Sequence, residues 1–284
     1  MVTLEDYKGQ KTAWCPGCGN FGILSALKAA LVKLNKEPHE ILLVSGIGQA
    51  GKLPHYMKCN TFNGLHGRTL PPATGAKLAN HELTVIAVGG DGDTYGEGGN
   101  HFIHAIRRNI DVTMLVHNNQ IYGLTKGQAS PTSDAGMVTK VQPHGVVSSP
   151  LNPLSLAISL NCSFVSRSFS GDVKHLTSML VEAIKHKGFS LVDVLQPCVT
   201  FNKINTYSWY RKRVYDLNEN SHNPKDKIKA FKKALEWGER IPIGVFYKDE
   251  RPSFEEKVPA LKLGPLVKQE ISASGIDTLL ENFM

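Results

Sequence analysis

Apolar positions along this chain switch between two periods. Phe21, Ile23, Leu24, Leu27, Leu31 and Leu34 follow Gly19 at helical spacing, with Lys33 and Lys36 near the end, so a helix with one buried face is predicted there. Ile41-Leu42-Leu43-Val44 is a short continuous apolar run that stops at Ser45-Gly46-Ile47-Gly48, the pattern of a buried strand feeding a glycine loop. Residues 50–72 carry Gly, Pro, Asn and His with little periodicity and read as a long loop, a kind of segment that is often functional. Residues 83–88 are β-rich and run into Gly89-Gly90; a glycine-rich stretch follows, then a helix with Phe102, Ile103 and Ile106 inward. The next strand, 112–116, ends at His117-Asn118-Asn119, and 154–160, 164–166, 173–184 and 191–195 read as helix, strand, helix, strand. Such alternation predicts an α/β fold, a parallel sheet with helices on both faces.

From Asn202 the chain becomes rich in Lys, Asn, Tyr and Trp, then offers one helix at 228–237, one apolar run at 241–247 and a Pro-containing tail after Glu250. The expected organisation is one α/β domain over 1–200 and an extension over 201–284 that wraps it or meets a partner. Hydrophobic residues at 41% and charged residues at 20% of the 284 exclude a disordered chain. The net charge of +7 favours anionic partners, whether phosphate esters, an acidic protein or nucleic acid. The basic, aromatic stretch from Lys203 to Arg213 is read as a solvated face or subunit contact, with no nucleic acid expected. No apolar run approaches the roughly 18–20 residues of a membrane helix, and MVTLEDYKGQ lacks the regions of a signal peptide, so a cytoplasmic, membrane-free protein is expected. Five cysteines suit a disulfide framework poorly, and in a reducing compartment Cys-x-x-Cys spacing reads as metal-binding or redox-active.

The chemistry concentrates between Gly90-Asp91-Gly92 and Asn118-Asn119. Two neighbouring parallel strands deliver polar groups at their C-terminal ends, the edge where open α/β sheets bind ligands. Mg²⁺ takes hard oxygen ligands; Asp91 offers a carboxylate, Asn119 an amide oxygen and Ile121 a backbone carbonyl. The glycines let backbone N–H groups approach phosphates, and the helix after Gly98 is expected to point its positive end the same way. Cys15 and Cys18 form a Cys-Pro-Gly-Cys turn at the first helix start, able to present two thiolates to one metal centre, with helix-start N–H groups lowering their pKa. Cys198 lies at a strand end after Pro197, and Cys162 reads as a small core residue.

The interval from Gly-Asp-Gly to Asn-Asn resembles the motif of thiamine diphosphate enzymes, and the chain as a whole resembles the β subunit of archaeal and bacterial 2-oxoacid:ferredoxin oxidoreductases. The matching pieces occur in family order: Trp14-Cys15-Pro16-Gly17-Cys18-Gly19-Asn20, Ser45-Gly46-Ile47-Gly48, Leu65-His66-Gly67-Arg68, Gly89-Gly90-Asp91-Gly92-Asp93, Tyr122 to Gln128 and Leu195-Gln196-Pro197-Cys198, with a weaker match over residues 237–242. The resemblance implies a thiamine diphosphate-binding fold and an enzyme that oxidatively decarboxylates a 2-oxoacid to acyl-coenzyme A and CO₂, passing electrons singly through a [4Fe–4S] cluster to ferredoxin. It implies Asp91, Asn119 and the Ile121 carbonyl as Mg²⁺ ligands, and Ile47, Gly48, Gln49, Ala50, His66, Gly92, Asp93, Gly123 and Leu124 as cofactor contacts. Lys52 and Lys126 would place positive charge near the substrate carboxylate or coenzyme A phosphates, beside His66. An α subunit would supply the other half of the thiamine site. Cluster ligands would be Cys15, Cys18 and Cys198, but Gln49 stands where the family has a further cysteine. Cys59, or a non-cysteine group, is expected in the fourth position. The alternative is a non-oxidative thiamine diphosphate-dependent decarboxylase subunit without a cluster.

Overall fold

The computed structural model describes residues 1–270 and 276–281. Its strands are β1 (Ile41–Ser45), β2 (Asn60–Asn63), β3 (Thr84–Gly90), β4 (Thr113–Asn118), β5 (Ile121–Tyr122), β6 (Gln128–Ala129), β7 (Phe164–Phe169), β8 (Ser190–Leu195), β9 (Val214–Asp216) and β10 (Ile241–Lys248). Its main helices are α1 (Asn20–Lys33), α2 (Leu70–Ala79), α3 (Gly99–Arg108), α4 (Pro153–Ser159), α5 (Val173–Lys185), α6 (Tyr207–Arg211) and α7 (Lys227–Ala234). β5 and β6 form a small hairpin, and the other eight strands make one sheet in the order β2-β1-β3-β4-β8-β7-β10-β9. Neighbours run parallel except β10, which is antiparallel to β7.

The apolar strands are buried on both sides. Ile86 and Val88 of β3 pack into the core under α1 and α5, while Val85 and Ala87 pack into the core under α3, α4 and α7. Successive strand residues point to opposite faces, so a sheet covered twice needs the continuous apolar runs seen in β1, β3 and β4.

One part of the chain differs from the sequence expectation. The loop expected over 50–72 contains a 3₁₀ turn (Ala50–Tyr56), edge strand β2 and the start of α2. All four β2 residues are exposed, so no apolar period marks the strand; it is held by backbone pairing to β1. α2 fully buries only Leu70, Ala73 and Lys77, too thin a stripe to read. The segment after residue 200 adds to the same sheet. β9 and β10 extend the same sheet beyond β7, and Phe169, Leu195, Tyr210, Ile241 and Ile243 share one small core.

β1, β3, β4 and β8 are consecutive and co-directional. Their ends at Ser45, Gly90, Asn118 and Leu195 therefore lie along one edge, and the four loops that follow meet there. Among the described residues, no helix is long and apolar enough to cross a membrane.

Candidate functional site

Asp91, Asn119 and Ile121 line one cleft at this edge, with Ile47, Gly48, Gln49, Ala50, His66, Gly92, Asp93, Gly123 and Leu124. The two polar strand ends thus face the same space. Asn118 serves the opposite side: its amide donates to both Asp193 oxygens at 3.3 and 3.2 Å and its Oδ1 accepts from Thr132. Asn119 Oδ1 accepts the Ile121 N–H at 3.0 Å, and Nδ2 donates to Gln196 at 3.1 Å.

Asp91 is 1% exposed. Ser130 and Thr132 hydroxyls donate to its Oδ2 at 2.5 and 2.6 Å, and among the described residues it forms no ion pair. Burial lifts its carboxyl to about 6; the two hydroxyls offset part of this, and the neighbouring Asp193 charge adds to it. A buried anion without a basic partner fits a cation. Asp91, Asn119 and Ile121, which line this cleft, offer a carboxylate, an amide oxygen and a backbone carbonyl, donors of the hard-oxygen kind that Mg²⁺ takes. The cradle beside it fits phosphates. Gly48 has φ +117°, a conformation side chains resist, and a Cβ there would meet nothing within 4 Å, so its backbone faces open cleft. A Cβ on Gly92 would lie 2.2 Å from the Tyr122 ring, which packs flush against this backbone.

The helical N-terminus at the cleft begins a turn earlier than the sequence suggests. Gly92–Glu97 winds as a π-helix, with Gly98 N–H donating to the Asp93 carbonyl at 2.9 Å. Such turns concentrate at functional sites. Asp93 is engaged in holding loops together: Oδ1 accepts the N–H groups of Ile47 (3.0 Å) and Gly67 (2.8 Å), and Oδ2 the Thr69 hydroxyl (3.1 Å). His66 is exposed at the rim, with a ring nitrogen and the Asp93 and Glu97 carboxylates within 4.8 Å of one another. Lys52, half-buried, and Lys126, exposed at φ +78°, are not among the cleft-lining residues, although Ala50 and Thr125 near them are.

Cys15, Cys18 and Cys198 line a second cleft, whose wall at Gln49, Asn119 and Gly123 is shared with the first. Gly19 N–H donates to the Pro197 carbonyl at 3.2 Å, docking the Cys-Pro-Gly-Cys turn on the end of β8. His117 Nδ1 lies 2.8 Å from Asn20 Oδ1, tying α1 to β4; burial pushes this imidazole down to about 3, so it is neutral. Thr200 Oγ1 donates to Cys15 Sγ at 3.2 Å and Gln196 Nε2 to Cys18 Sγ at 3.5 Å. The expected lowering of the Cys18 pKa is reversed. Burial raises the thiol to about 11, outweighing the Asn20 N–H that stabilises the thiolate. Three thiols with N–H and O–H donors around them fit a thiolate-bound metal centre.

Cys59 does not join them. Because β2 runs parallel to β1 with Asn60 opposite Leu42, Cys59 falls at the starting end of these strands, away from the C-terminal edge. It packs against the core under α1 and α5, and burial raises its thiol to about 12. Cys162 is fully buried and donates to the Phe164 carbonyl at 3.3 Å, a small core residue as expected.

The model of the C-terminal TPP-binding domain of thiamine pyrophosphate enzymes matches residues 46–194, spanning the Asp91 cleft, and that of the C-terminal region of the pyruvate ferredoxin oxidoreductase beta subunit matches residues 198–263. The 2-oxoacid:ferredoxin oxidoreductase subunit beta of a Sulfolobus species is 49% identical over 270 residues, covering 90% of this chain and 88% of that one. Its counterpart in Saccharolobus solfataricus is 51% identical over 258 residues, covering 86% and 85%. This chain belongs to the 2-oxoacid:ferredoxin oxidoreductase β subunits. The solved 2-oxoglutarate:ferredoxin oxidoreductase from Magnetococcus marinus, with 2-oxoglutarate, coenzyme A and succinyl-CoA bound, has a chain of 33% identity and TM-score 0.92, covering 99% of this chain and 96% of that one. The β subunit is thus part of a thiamine diphosphate-dependent oxidoreductase and works with an α subunit.

Sequence reading missed the second layer of this β subunit's site. Ser130 and Thr132 meet Asp91 across 39 and 41 positions, Asp193 meets Asn118 across 75, and Tyr95 donates to Asp193 at 2.8 Å. Ser130-Pro131-Thr132-Ser133 is a visible hydroxyl cluster, but nothing local says which carboxylate it meets.

Proposed function

We propose that this β subunit, with its α subunit, oxidatively decarboxylates a 2-oxoacid to acyl-coenzyme A and CO₂ and delivers electrons singly to ferredoxin. The Asp91 cleft holds Mg²⁺ and the diphosphate of thiamine diphosphate, and the thiol cleft holds an iron–sulfur cluster. The observation that carries this reading is the shared wall: Gln49, Asn119 and Gly123 line both clefts, so a two-electron donor and a one-electron acceptor sit side by side. Bound thiamine diphosphate supplies the electron sink for loss of CO₂, and the cluster supplies one-electron transfer.

The chain's own residues prepare these events. Ser130 and Thr132 fix Asp91 Oδ2, which orients the carboxylate toward its cation. Asp93 locks the Ile47 and Gly67 loops, so the residue 47–50 backbone is already in place as the cradle wall. Gln196 and Thr200 donate to sulfur, which offsets negative charge in the thiol cleft. His66 at the rim, with Lys52 and Lys126 beside the cleft, meets the substrate carboxylate or coenzyme A phosphates. The excess of +7 suits an acidic electron carrier. A 2-oxoacid and coenzyme A as substrates accord with what the M. marinus relative binds.

The test is 2-oxoacid-dependent viologen reduction by the anaerobically purified αβ complex. Reduction is expected to need coenzyme A, Mg²⁺–thiamine diphosphate and both chains, with iron and labile sulfide present. Full activity of the β chain alone would refute the shared site. Gln49 in place of a fourth thiolate favours one other reading, the non-oxidative decarboxylase subunit; free aldehyde released without coenzyme A by an iron-free complex would establish that instead.

A further inference from the structure

Gln49 stands at the join between the two clefts. Its backbone is fixed, because its carbonyl accepts the Trp14 indole N–H at 2.8 Å. Its side chain lies along Gly123, where an added Cβ would sit 3.9 Å from Gln49 Cγ, and it lines the thiol cleft beside Cys15, Cys18 and Cys198. There Gln49 Oε1 is shut off from solvent and accepts no hydrogen bond. The other amide oxygens lining that cleft are engaged: Asn20 Oδ1 with His117, Asn119 Oδ1 with the Ile121 N–H, and Gln196 Oε1 with the Asn119 amide. No fourth cysteine and no His, Asp or Glu lines the cleft among the described residues. Gln49 Oε1 is therefore an unpartnered amide oxygen on a residue that shares this lining with three thiols, and a buried acceptor without a partner is unfavourable unless something binds it.

We propose that Gln49 Oε1 binds the iron that the three thiolates leave incomplete, giving this β subunit a cluster held by three sulfurs and one neutral oxygen. The inference rests on the reading that the thiol cleft holds an iron–sulfur cluster. An amide oxygen is hard and uncharged where a thiolate is soft and anionic. The ligand set then carries one negative charge fewer than four thiolates would. That favours the reduced cluster, so the midpoint potential lies above that of a four-thiolate version. It also leaves one iron weakly held, the first to depart on oxidation. Since Gln49 belongs to the shared wall, the oxygen-bound iron is the one toward the Asp91 cleft.

The test uses the ⁵⁷Fe-labelled αβ complex, native and as Gln49→Cys and Gln49→Ala, read by iron and sulfide analysis, Mössbauer spectroscopy and EPR potentiometry. Native protein is expected to hold a four-iron cluster in which one iron of four has the larger isomer shift of an oxygen-ligated site. Gln49→Cys makes the four irons alike and lowers the midpoint potential. Gln49→Ala converts to a three-iron EPR signal on mild oxidation more readily than native protein does. A native cluster whose Mössbauer and EPR signatures are unchanged in Gln49→Ala, or a potential and spectrum unchanged in Gln49→Cys should Gln49→Ala not accumulate, overturns the role of Gln49 alone. Zinc without sulfide, or no metal, overturns the cluster reading beneath it.

Discussion

Asp91 and Cys18 lie on the two sides of the Gln49–Asn119–Gly123 wall, and burial acts on both in the same direction, lifting the carboxyl to about 6 and the thiol to about 11. The consequences at neutral pH are opposite. Asp91 is still mostly ionised and ready for a cation, whereas Cys18 keeps its proton until a metal displaces it. Their hydrogen bonds differ in the same sense. Two hydroxyls grip Asp91 at 2.5 and 2.6 Å, whereas side-chain donors reach sulfur at 3.2 and 3.5 Å. Hard oxygen ligands can be ordered in advance by the protein's own donors. Sulfur ligands bond weakly to N–H and O–H groups, so the thiol cleft depends more on its metal for order.

The sharpest way to break this contrast is to remove one thiol. Cys18→Ser is expected to strip iron and labile sulfide from the αβ complex while calorimetric affinity for Mg²⁺–thiamine diphosphate changes by no more than about twofold, since the first cleft is already formed. A tenfold loss there would show that the clefts are one cooperative unit. Asp91→Asn reverses the asymmetry. It should weaken Mg²⁺–thiamine diphosphate binding by about 2–4 kcal/mol, through loss of a charge-assisted ligand, and leave cluster absorption unchanged. Unaltered thiamine diphosphate affinity would remove Asp91 from the ligand set.

Smaller effects come from pH. Protons compete with Mg²⁺ for Asp91, so Mg²⁺–thiamine diphosphate affinity should fall up to about tenfold per unit below pH 6 and level off above it. Metal-free protein responds with the other sign. A carboxyl near 6 when folded and about 3.9 when unfolded binds its proton more tightly in the folded state, so its contribution to stability declines by about 3 kcal/mol from pH 4 to pH 6 and is then flat. Denaturation midpoints at half-unit steps, with and without Mg²⁺–thiamine diphosphate, would reveal this as a ligand-induced stabilisation that grows toward pH 6. A stabilisation constant from pH 4 to 7 would mean that Asp91 does not titrate in this range.

Much of both sites was legible before any coordinates. Asp91, Asn119 and Ile121 were placed together because each sits just beyond a strand whose apolar run is plain, and neighbouring parallel strands end at one edge. Cys15 and Cys18 share a turn, so their proximity is local. The π-helix at Gly92–Glu97 has no sequence signature, because glycine-rich segments carry no apolar period. Cys59 is close in sequence to Gln49, but the 3₁₀ turn Ala50–Tyr56 lies between them and Cys59 immediately precedes edge strand β2, which places it at the other end of the sheet.

The amino-acid sequence by itself determined which elements form and which chemical groups cap them: alternating strands and helices, a carboxylate and an amide at two strand ends, a paired-cysteine turn before a helix. These depend on side chains a few positions apart. Tertiary structure alone decided what those groups meet. Strand order β1-β3-β4-β8 brings Cys198 to Cys18 across 180 positions, lays Ser130 and Thr132 on Asp91, and leaves Gln49 Oε1 without a donor between two clefts. Local pattern carries no record of such meetings, because they follow from how separate strands pair and stack, which every part of the core settles jointly.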